Sequence, residues 1–235
     1  MSAPRVALVT GANTGIGLAT ARRLREDGLS VVFHSRQEND EIANERYRVL
    51  GDLSNVETPA RLVRETIDAA GGINVLVNNA GVTVSKPALE LTAEDFDLIF
   101  SVDVRAAYLL SVAAAKEMRK HGGGVIVNVT SVHEHVPRPG FALYAAAKAA
   151  LGMITRSLAL ELGGDGIRVV SVAPGAIATE RNREAGGLSD EIPLGRPGEP
   201  EDVAALISFL VSAEAQYVTG ASYLVDGGFV QHVIT

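Results

Sequence analysis

The chain has 235 residues, 47% of them hydrophobic, with 24 glycines and a formal net charge of −7. This composition suits a well-buried, turn-rich globular protein, and the acidic balance gives no electrostatic footprint for nucleic acid. There is no cysteine, which excludes disulfides, thiol nucleophiles and thiolate metal sites.

The first residues, Met1-Ser-Ala-Pro-Arg5, lead straight into an apolar stretch without a signal-peptide pattern. No uninterrupted apolar run reaches the ~18 residues of a membrane span. A cytoplasmic protein with neither a membrane nor a nucleic-acid partner is expected.

Apolar runs and helical patterns then alternate along the chain. Arg5–Thr10 reads as a strand, residues 15–27 as a helix and Ser30–His34 as a second strand. Only about ten residues separate that strand from a weaker one at Tyr47–Leu50, fewer than an ordinary parallel crossover uses. A helix clipped to one or two turns is expected within 37–46. A helix over 56–70, a strand at Ile73–Asn78 and a helix over 93–120 follow. After them come a strand at Gly124–Val129, a helix over 144–162, a strand at Ile167–Val172, a helix over 201–212 and a weak strand at Ala221–Val225. The strands are near-continuous Val/Ile runs, as in a parallel sheet covered on both faces. The rhythm predicts an α/β, doubly wound parallel sheet of about seven strands with right-handed crossovers. With no linker and no internal repeat, residues 1–235 read as one domain.

Thr10-Gly-Ala-Asn-Thr-Gly-Ile-Gly17 joins the first strand to the first helix. Glycines at 11, 15 and 17 let the backbone turn tightly and approach a pyrophosphate, and the helix N-terminus offers unpaired N–H groups. The same glycines also serve a plain strand-to-helix turn, so their position at the start of an α/β chain carries the weight. Tyr144 and Lys148 stand four apart in an Ala/Leu-rich helical stretch, thirteen residues after Ser131. On a helix that spacing puts phenol and ammonium on one face, where a nearby positive charge favours phenolate.

Taken with Asn78-Asn-Ala-Gly81 and Pro174-Gly-Ala-Ile-Ala-Thr179, these motifs resemble those of the short-chain dehydrogenase/reductase family over nearly the whole chain, from Val6 to Gly228. The resemblance implies a Rossmann-like fold and a nicotinamide cofactor. It places that cofactor against Gly11, Asn13, Thr14, Gly15, Ile16, Gly17, Asn79, Ala80, Gly81, Tyr144, Lys148, Pro174, Gly175, Ile177 and Thr179. Asp52 and Leu53 resemble the adenine-contacting pair, although Asp52 reads equally well as a helix N-cap. The second strand ends in His34-Ser35-Arg36 with no acidic residue. Arg36 suits a 2′-phosphate and Ser35 adds a hydroxyl, so NADP(H) is favoured over NAD(H). Thr14 argues the other way, because NADP-preferring relatives often carry a basic residue inside the turn.

The family's chemistry, carried over, makes Tyr144 the general acid/base. Lys148 holds the nicotinamide ribose and supports the tyrosine, and Ser131 holds the substrate oxygen. The asparagine that usually helps hold a proton-relay water falls, by gapless counting, on Asp103. A carboxylate there should strengthen the lysine's charge, disfavour phenolate and give a slower or pH-shifted enzyme. A solvated Asp103 turned away from the site is the plain alternative.

On the substrate side, Ser131, His133, Glu134 and Tyr144 are the candidates. The two histidines beside Glu134 have no supporting cluster elsewhere, so no metal is expected. Ser131-Val-His-Glu134 followed by a proline-containing loop resembles bacterial glucose 1-dehydrogenases. Thr83, where the glucose enzymes carry a carboxylate, and a short lid within 179–198 made mobile by Gly186-Gly187 leave a sugar, a small ketone and a 3-oxoacyl thioester open. The resulting expectation is interconversion of a secondary alcohol and a ketone, or of a sugar hemiacetal and a lactone. The alternatives are an impaired dinucleotide-binding sensor or scaffold, and a 3-oxoacyl carrier-protein reductase docking through Arg138, Arg181 and Arg183. Helices 104–118 and 144–162 are apolar around much of their surface, and related proteins pair them across subunits. With the apolar tail Phe229–Thr235, they suggest a homotetramer or homodimer.

Overall fold

Seven strands hydrogen-bond in the order β3-β2-β1-β4-β5-β6-β7, every neighbouring pair parallel. They are β1 (Val6–Val9), β2 (Ser30–Ser35), β3 (Arg48–Leu50), β4 (Val75–Asn78), β5 (Gly124–Val129), β6 (Ile167–Pro174) and β7 (Ser222–Val225). The computed structural model describes residues 4–38, 40–180, 182 and 185–233.

Because strand side chains alternate between faces, each strand feeds two cores. Val6, Leu8, Leu76, Ile126 and Val169 pack on one face with α2 (Thr58–Ala70), α4 (Ala107–Met118) and α5 (Ala142–Leu162). Ala7, Val9, Val75, Val77, Val127 and Val170 pack on the other with α1 (Gly15–Glu26) and α6 (Pro200–Val211). Local signals set several ends: Pro59 opens α2, and Thr92 and Asp95 form a capping box at α3 (Ala93–Phe100). A last short helix, α7 (Phe229–Val233), closes the described chain.

Two expected helices are present in particular forms. The stretch 37–46 contains, among its described residues, only a 3₁₀ turn at Asp40–Ile42, with Ile42 fully buried. The short connection anchors one apolar side chain and has no length left for an α-helix. The helix expected over 93–120 is not uniform either. Between α3 and α4 it widens into a π-helical turn, Ser101–Ala106, which holds Asp103, and such turns are common at functional sites. The same continuous stretch, Ala93–His121, contains a window long and apolar enough to cross a membrane, though the sequence has no unbroken apolar run. That window is 56% buried inside the protein, as expected of a core helix.

The chain runs outward from β1 to β3, then returns to start β4 on the other side of β1. The crevice at the carboxyl ends of β1 and β4 is therefore the topological switch point, where open α/β sheets bind ligands.

Candidate active site

The glycine turn sits in that crevice. Gly11 and Gly15 adopt positive φ of 64° and 52°, a region that L side chains rarely adopt. A Cβ at Gly17 would come within 2.2 Å of the Gly11 carbonyl oxygen, so only glycine lets α1 start this close to the turn. Asn79 donates from its amide to the carbonyls of Thr10 (2.9 Å) and Gly11 (3.3 Å), and Thr10 Oγ1 accepts from the Asn79 and Ala80 N–H groups. The loop after β4 thus pins the turn, and the Asn79 amide donor is committed to that work. Thr14 caps α1 without a side-chain bond, leaving first-turn N–H groups free for an anion. The Thr179 methyl would lie 3.2 Å from a Cβ at Gly15, so Thr179 covers the turn from above. Ile16 and Ile177 pack into the core beneath it, and Gly175 closes against the Asp226 backbone.

At the adenosine end the expectations need correction. Ser35 is 1% exposed and its hydroxyl donates to the Gln37 carbonyl, so it faces inward and offers no free donor. Leu53 packs into the core, leaving little side chain for an adenine. Asp52 caps no helix, since Glu57 precedes α2; its Oδ1 accepts from Ser54 N at 2.9 Å in a tight local turn. Those Ser54 bonds, helped by the charge of Arg36, hold the Asp52 carboxyl below its usual range. Arg36 is exposed and forms no ion pair with the described residues. His34 is buried beside the turn. Its Nδ1 accepts from Gly11 N–H at 3.2 Å, and its Nε2 lies 3.0 Å from the Gly51 carbonyl. Burial, only partly opposed by the Gly51 bond, lowers its pKa to about 4.

The other half of the site lies where β5 meets α5. Lys148 and Tyr144 share one face of α5, with the ammonium 5.4 Å from the Tyr144 ring centre. Lys148 Nζ contacts Asp103 Oδ2 at 3.0 Å and donates to the Val129 carbonyl at 3.2 Å. Asp103 Oδ1 accepts from Val82 N at 2.7 Å. Asp103 is 1% exposed, which rules out the solvated alternative. Burial works against the Lys148 ammonium, but the charges of Asp103 and Tyr144 and the Asp103 contact outweigh it and raise the lysine pKa. The Val129 carbonyl engages one ammonium donor, while Asp103 meets the ammonium as a close ion pair in which Oδ2 accepts no aligned hydrogen bond, so donor capacity remains for a ligand. Gly81 makes the pair possible, because a Cβ there would lie 2.9 Å from Asp103 Oδ2 and 3.3 Å from Lys148 Nζ.

Ser131 Oγ accepts from His133 N–H at 3.2 Å at the head of a 3₁₀ turn, Val132–Glu134. Its own proton remains available to a substrate oxygen. The His133 ring lies edge-on to Tyr144 (6.2 Å between centres) and tilted against Phe141 (5.3 Å), with Nδ1 3.1 Å from the Val136 carbonyl. Burial lowers the His133 pKa. His133 and Tyr144 are thus ring neighbours, with Ser131 at the head of the turn that carries His133.

Glu134 does not join them. Its side chain is 3% exposed, its Oε2 accepts from Ser222 Oγ at 3.0 Å, and its Oε1 presses on Gly152, where a Cβ would come within 2.1 Å. The next turn of helix removes Glu134 from the pocket and wedges it between α5 and β7. Within the stretch 179–198 expected to act as a lid, Ala185–Glu191 form a 3₁₀ segment, and Ile192 is buried with Val132, Val136 and Phe229. Arg138 lies over the Phe141 ring; Arg181 and Arg183 fall outside the described residues.

Sequence reasoning missed three contributors. His34 carries no sequence signal, because ribose recognition at the end of β2 is read from acidic and basic residues. The Val129 carbonyl carries no side-chain signal. Asn128 stands opposite Asn78 in the sheet register, accepts from its amide at 2.8 Å and donates to Thr155 Oγ1 at 2.8 Å. That buried chain ties β4 and β5 to α5, and an asparagine inside a Val/Ile strand was its only trace. No group of three or more potential metal-ligating side chains occurs among the described residues.

A doubly wound sheet with a glycine turn at its switch point, facing a buried lysine, a tyrosine and a serine, defines a dehydrogenase that acts on alcohol and ketone groups. Comparison with known proteins agrees. Residues 11–230 match a family model described as enoyl-(acyl carrier protein) reductase. An uncharacterised oxidoreductase, YohF, of Escherichia coli is 41% identical over 246 residues, covering 96% of each chain. The glucose 1-dehydrogenase of Gluconobacter oxydans is 40% identical, covering 94% of this chain and 90% of its own. Among solved structures, acetoin dehydrogenase from Enterobacter cloacae superimposes with a TM-score of 0.92 at 39% identity, covering 99% of this chain and 98% of its own. The chain belongs to the short-chain dehydrogenase/reductase family, and with it uses a nicotinamide dinucleotide.

Proposed function

We propose that this chain is an NADP(H)-preferring dehydrogenase that interconverts a small secondary alcohol and its ketone, with Tyr144 as general acid/base. The buried Lys148–Asp103 pair beside Tyr144 carries the reading, because it gives the phenol a fixed cationic neighbour. The residues present fit the cofactor: an uncapped helix N-terminus behind two positive-φ glycines for the pyrophosphate, Arg36 for a 2′-phosphate, and the spare Lys148 donor for the nicotinamide ribose. When bound, that cofactor supplies or accepts the hydride at the substrate carbon. Ser131 donates its hydroxyl proton to the substrate oxygen and orients it. In the reducing direction Tyr144 delivers a proton to that oxygen, and in the oxidising direction it removes one. Asp103 holds Lys148 in place and fixes the loop after β4 through Val82.

Residues 1–235 act in this reading as one dinucleotide-binding domain with its substrate lid within 179–198. The named relatives are an acetoin dehydrogenase and a glucose 1-dehydrogenase, and acetoin and glucose both carry oxygen functions on adjacent carbons. The half-buried His133 and the short lid suit the smaller of the two, so a small hydroxyketone is the preferred substrate. The exposed Tyr108, Met153 and Leu160 on α4 and α5, Phe209 on α6 and Leu224 on the edge strand β7 support a homotetramer. Light scattering that returned a monomer would remove that part.

The test is an activity matrix, NADP(H) and NAD(H) against hydroxyketones, sugars, simple alcohols and ketones and a 3-oxoacyl thioester. Tyr144→Phe serves as the control, expected to lose roughly 10²–10⁴-fold in kcat while still binding cofactor. Activity retained in that variant would sink the mechanism. Turnover of the thioester alone would favour the carrier-protein reading suggested by the family model's description.

A further inference from the structure

We infer that His34 is the positioning residue of the cofactor site, a neutral imidazole clamp that holds the glycine turn at the geometry a dinucleotide needs. The inference rests on the assignment of that turn to a nicotinamide dinucleotide. His34 is 2% exposed and grips the turn at two consecutive residues: its Nδ1 accepts from Gly11 N–H, and its own carbonyl accepts from Ala12 N–H at 2.8 Å. On the far side its Nε2 reaches the Gly51 carbonyl, where the chain leaves β3. One side chain thus bridges the loops after β1 and β3, the two that flank the end of β2, where Arg36 stands.

The partners fix the protonation state. A carbonyl can only accept, so Nε2 must carry the proton; an N–H can only donate, so Nδ1 must be bare. An imidazolium would turn a second N–H onto the Gly11 N–H and break that contact. The low His34 pKa agrees with this assignment. With both ring nitrogens committed, His34 touches neither substrate nor reacting atoms. Its effect passes through the backbone of Gly11 and Ala12, whose placement decides whether the first-turn N–H groups of α1 converge on a phosphate. An isolated tight turn would need no such support. A turn that must stay open for a ligand and still bury its entry N–H does need it.

The experiment uses the full chain. Long-range ¹H–¹⁵N spectra of the wild type should show His34 as a single neutral tautomer, protonated at Nε2, from pH 8 down to about pH 5. An Nδ1–H tautomer, or an imidazolium at pH 6, would overturn the clamp. Fluorescence titration with NADPH should give a Kd raised roughly tenfold in His34→Leu, the usual consequence of orphaning a buried N–H. The loss should fall on cofactor affinity and leave kcat at saturating NADPH within about twofold. His34→Asn, whose carbonyl replaces the Nδ1 acceptor, should recover more of the affinity than His34→Gln, whose amide replaces the Nε2 donor. That ranking decides the matter even where the leucine variant does not fold. Equal affinity in wild type and His34→Leu, or Gln rescuing better than Asn, would overturn the clamp alone. A wild type that bound neither NADPH nor NADH would overturn the assignment of the turn itself, and the clamp with it.

Discussion

Asp103 Oδ2 lies 3.0 Å from Lys148 Nζ, with side-chain exposures of 0% and 5%, in a π-helical turn facing the middle of α5. A buried pair of this kind adds little net stability over an apolar substitute, yet breaking it by removing one partner is costly. Asp103→Ala is therefore expected to lose about 3–5 kcal/mol of stability, read from denaturant melts. Asp103→Asn keeps an acceptor for Val82 N–H and removes only the charge. The lysine then loses the charge that raises its pKa, so its pKa falls and the limb of the pH–kcat profile that reports the lysine moves to lower pH. An unchanged profile in Asp103→Asn would show that the pair has no part in catalysis.

Arg36 stands two residues beyond His34, exposed and without an ion-pair partner among the described residues. If it holds a 2′-phosphate through charge-assisted bonds, Arg36→Ala should raise KM for NADPH roughly 10–100-fold and leave KM for NADH within about twofold. Steady-state kinetics with both cofactors tests this. A parallel rise for both would make Arg36 a general electrostatic attractor and leave the preference for NADP(H) without a residue.

The sheet was legible because parallel strands buried on both faces must be near-continuous Val/Ile runs, and Val6–Val9, Val75–Asn78 and Gly124–Val129 are such runs. The Tyr144/Lys148 pair was legible because helical spacing fixes which residues share a face. Glu134 shows where that reasoning stops. Adjacency to Ser131 says nothing about where the next turn points, and the space that receives its carboxylate is created by Gly152, eighteen positions later. Ser35 fails in the same way, since a hydroxyl at a strand end is claimed by the nearest carbonyl, that of Gln37. The π-turn at Ser101–Ala106 has no compositional signature, because it depends on tertiary contacts of Asp103 with Val82 and Lys148.

His34 also makes stability depend on pH in a defined window. Its folded pKa, about 4, lies below the ordinary value near 6.5, so between those pH values the unfolded chain binds a proton that the folded chain does not. Stability from this group is fully present above about pH 6.5 and is lost as pH falls towards 4. At about 1.4 kcal/mol per pH unit, the loss over that window is on the order of 3 kcal/mol. Carboxylates such as Asp52 and Asp202, held below their usual range, also lose stability as pH falls, so the informative quantity is a difference. Denaturant melts at pH 7, 5.5 and 4.5 should show a shallower decline in His34→Gln than in wild type. Parallel declines would mean that the histidine is already charged in the folded protein.

Gly81 offers a test of the Asp103–Lys148 geometry that leaves both charges in place. The added methyl of Gly81→Ala would sit 2.9 Å from Asp103 Oδ2, closer than real Cβ atoms come, and a tight 3.3 Å from Lys148 Nζ, so the carboxylate must shift. Misplacement of about 1 Å at a catalytic constellation can cost on the order of 100-fold; for the smaller shift here kcat should fall by roughly threefold to tenfold. Because the methyl acts through the pair, its effect should not add to that of Asp103→Asn. The double variant should lose less than the product of the two single losses, as expected for residues in contact. Multiplicative losses would mean that the methyl damages the cofactor crevice by a separate route, through the loop after β4 that pins the glycine turn. An undiminished kcat in Gly81→Ala would mean that the pair can move without consequence, and that its close fit beneath Tyr144 does not govern the reaction.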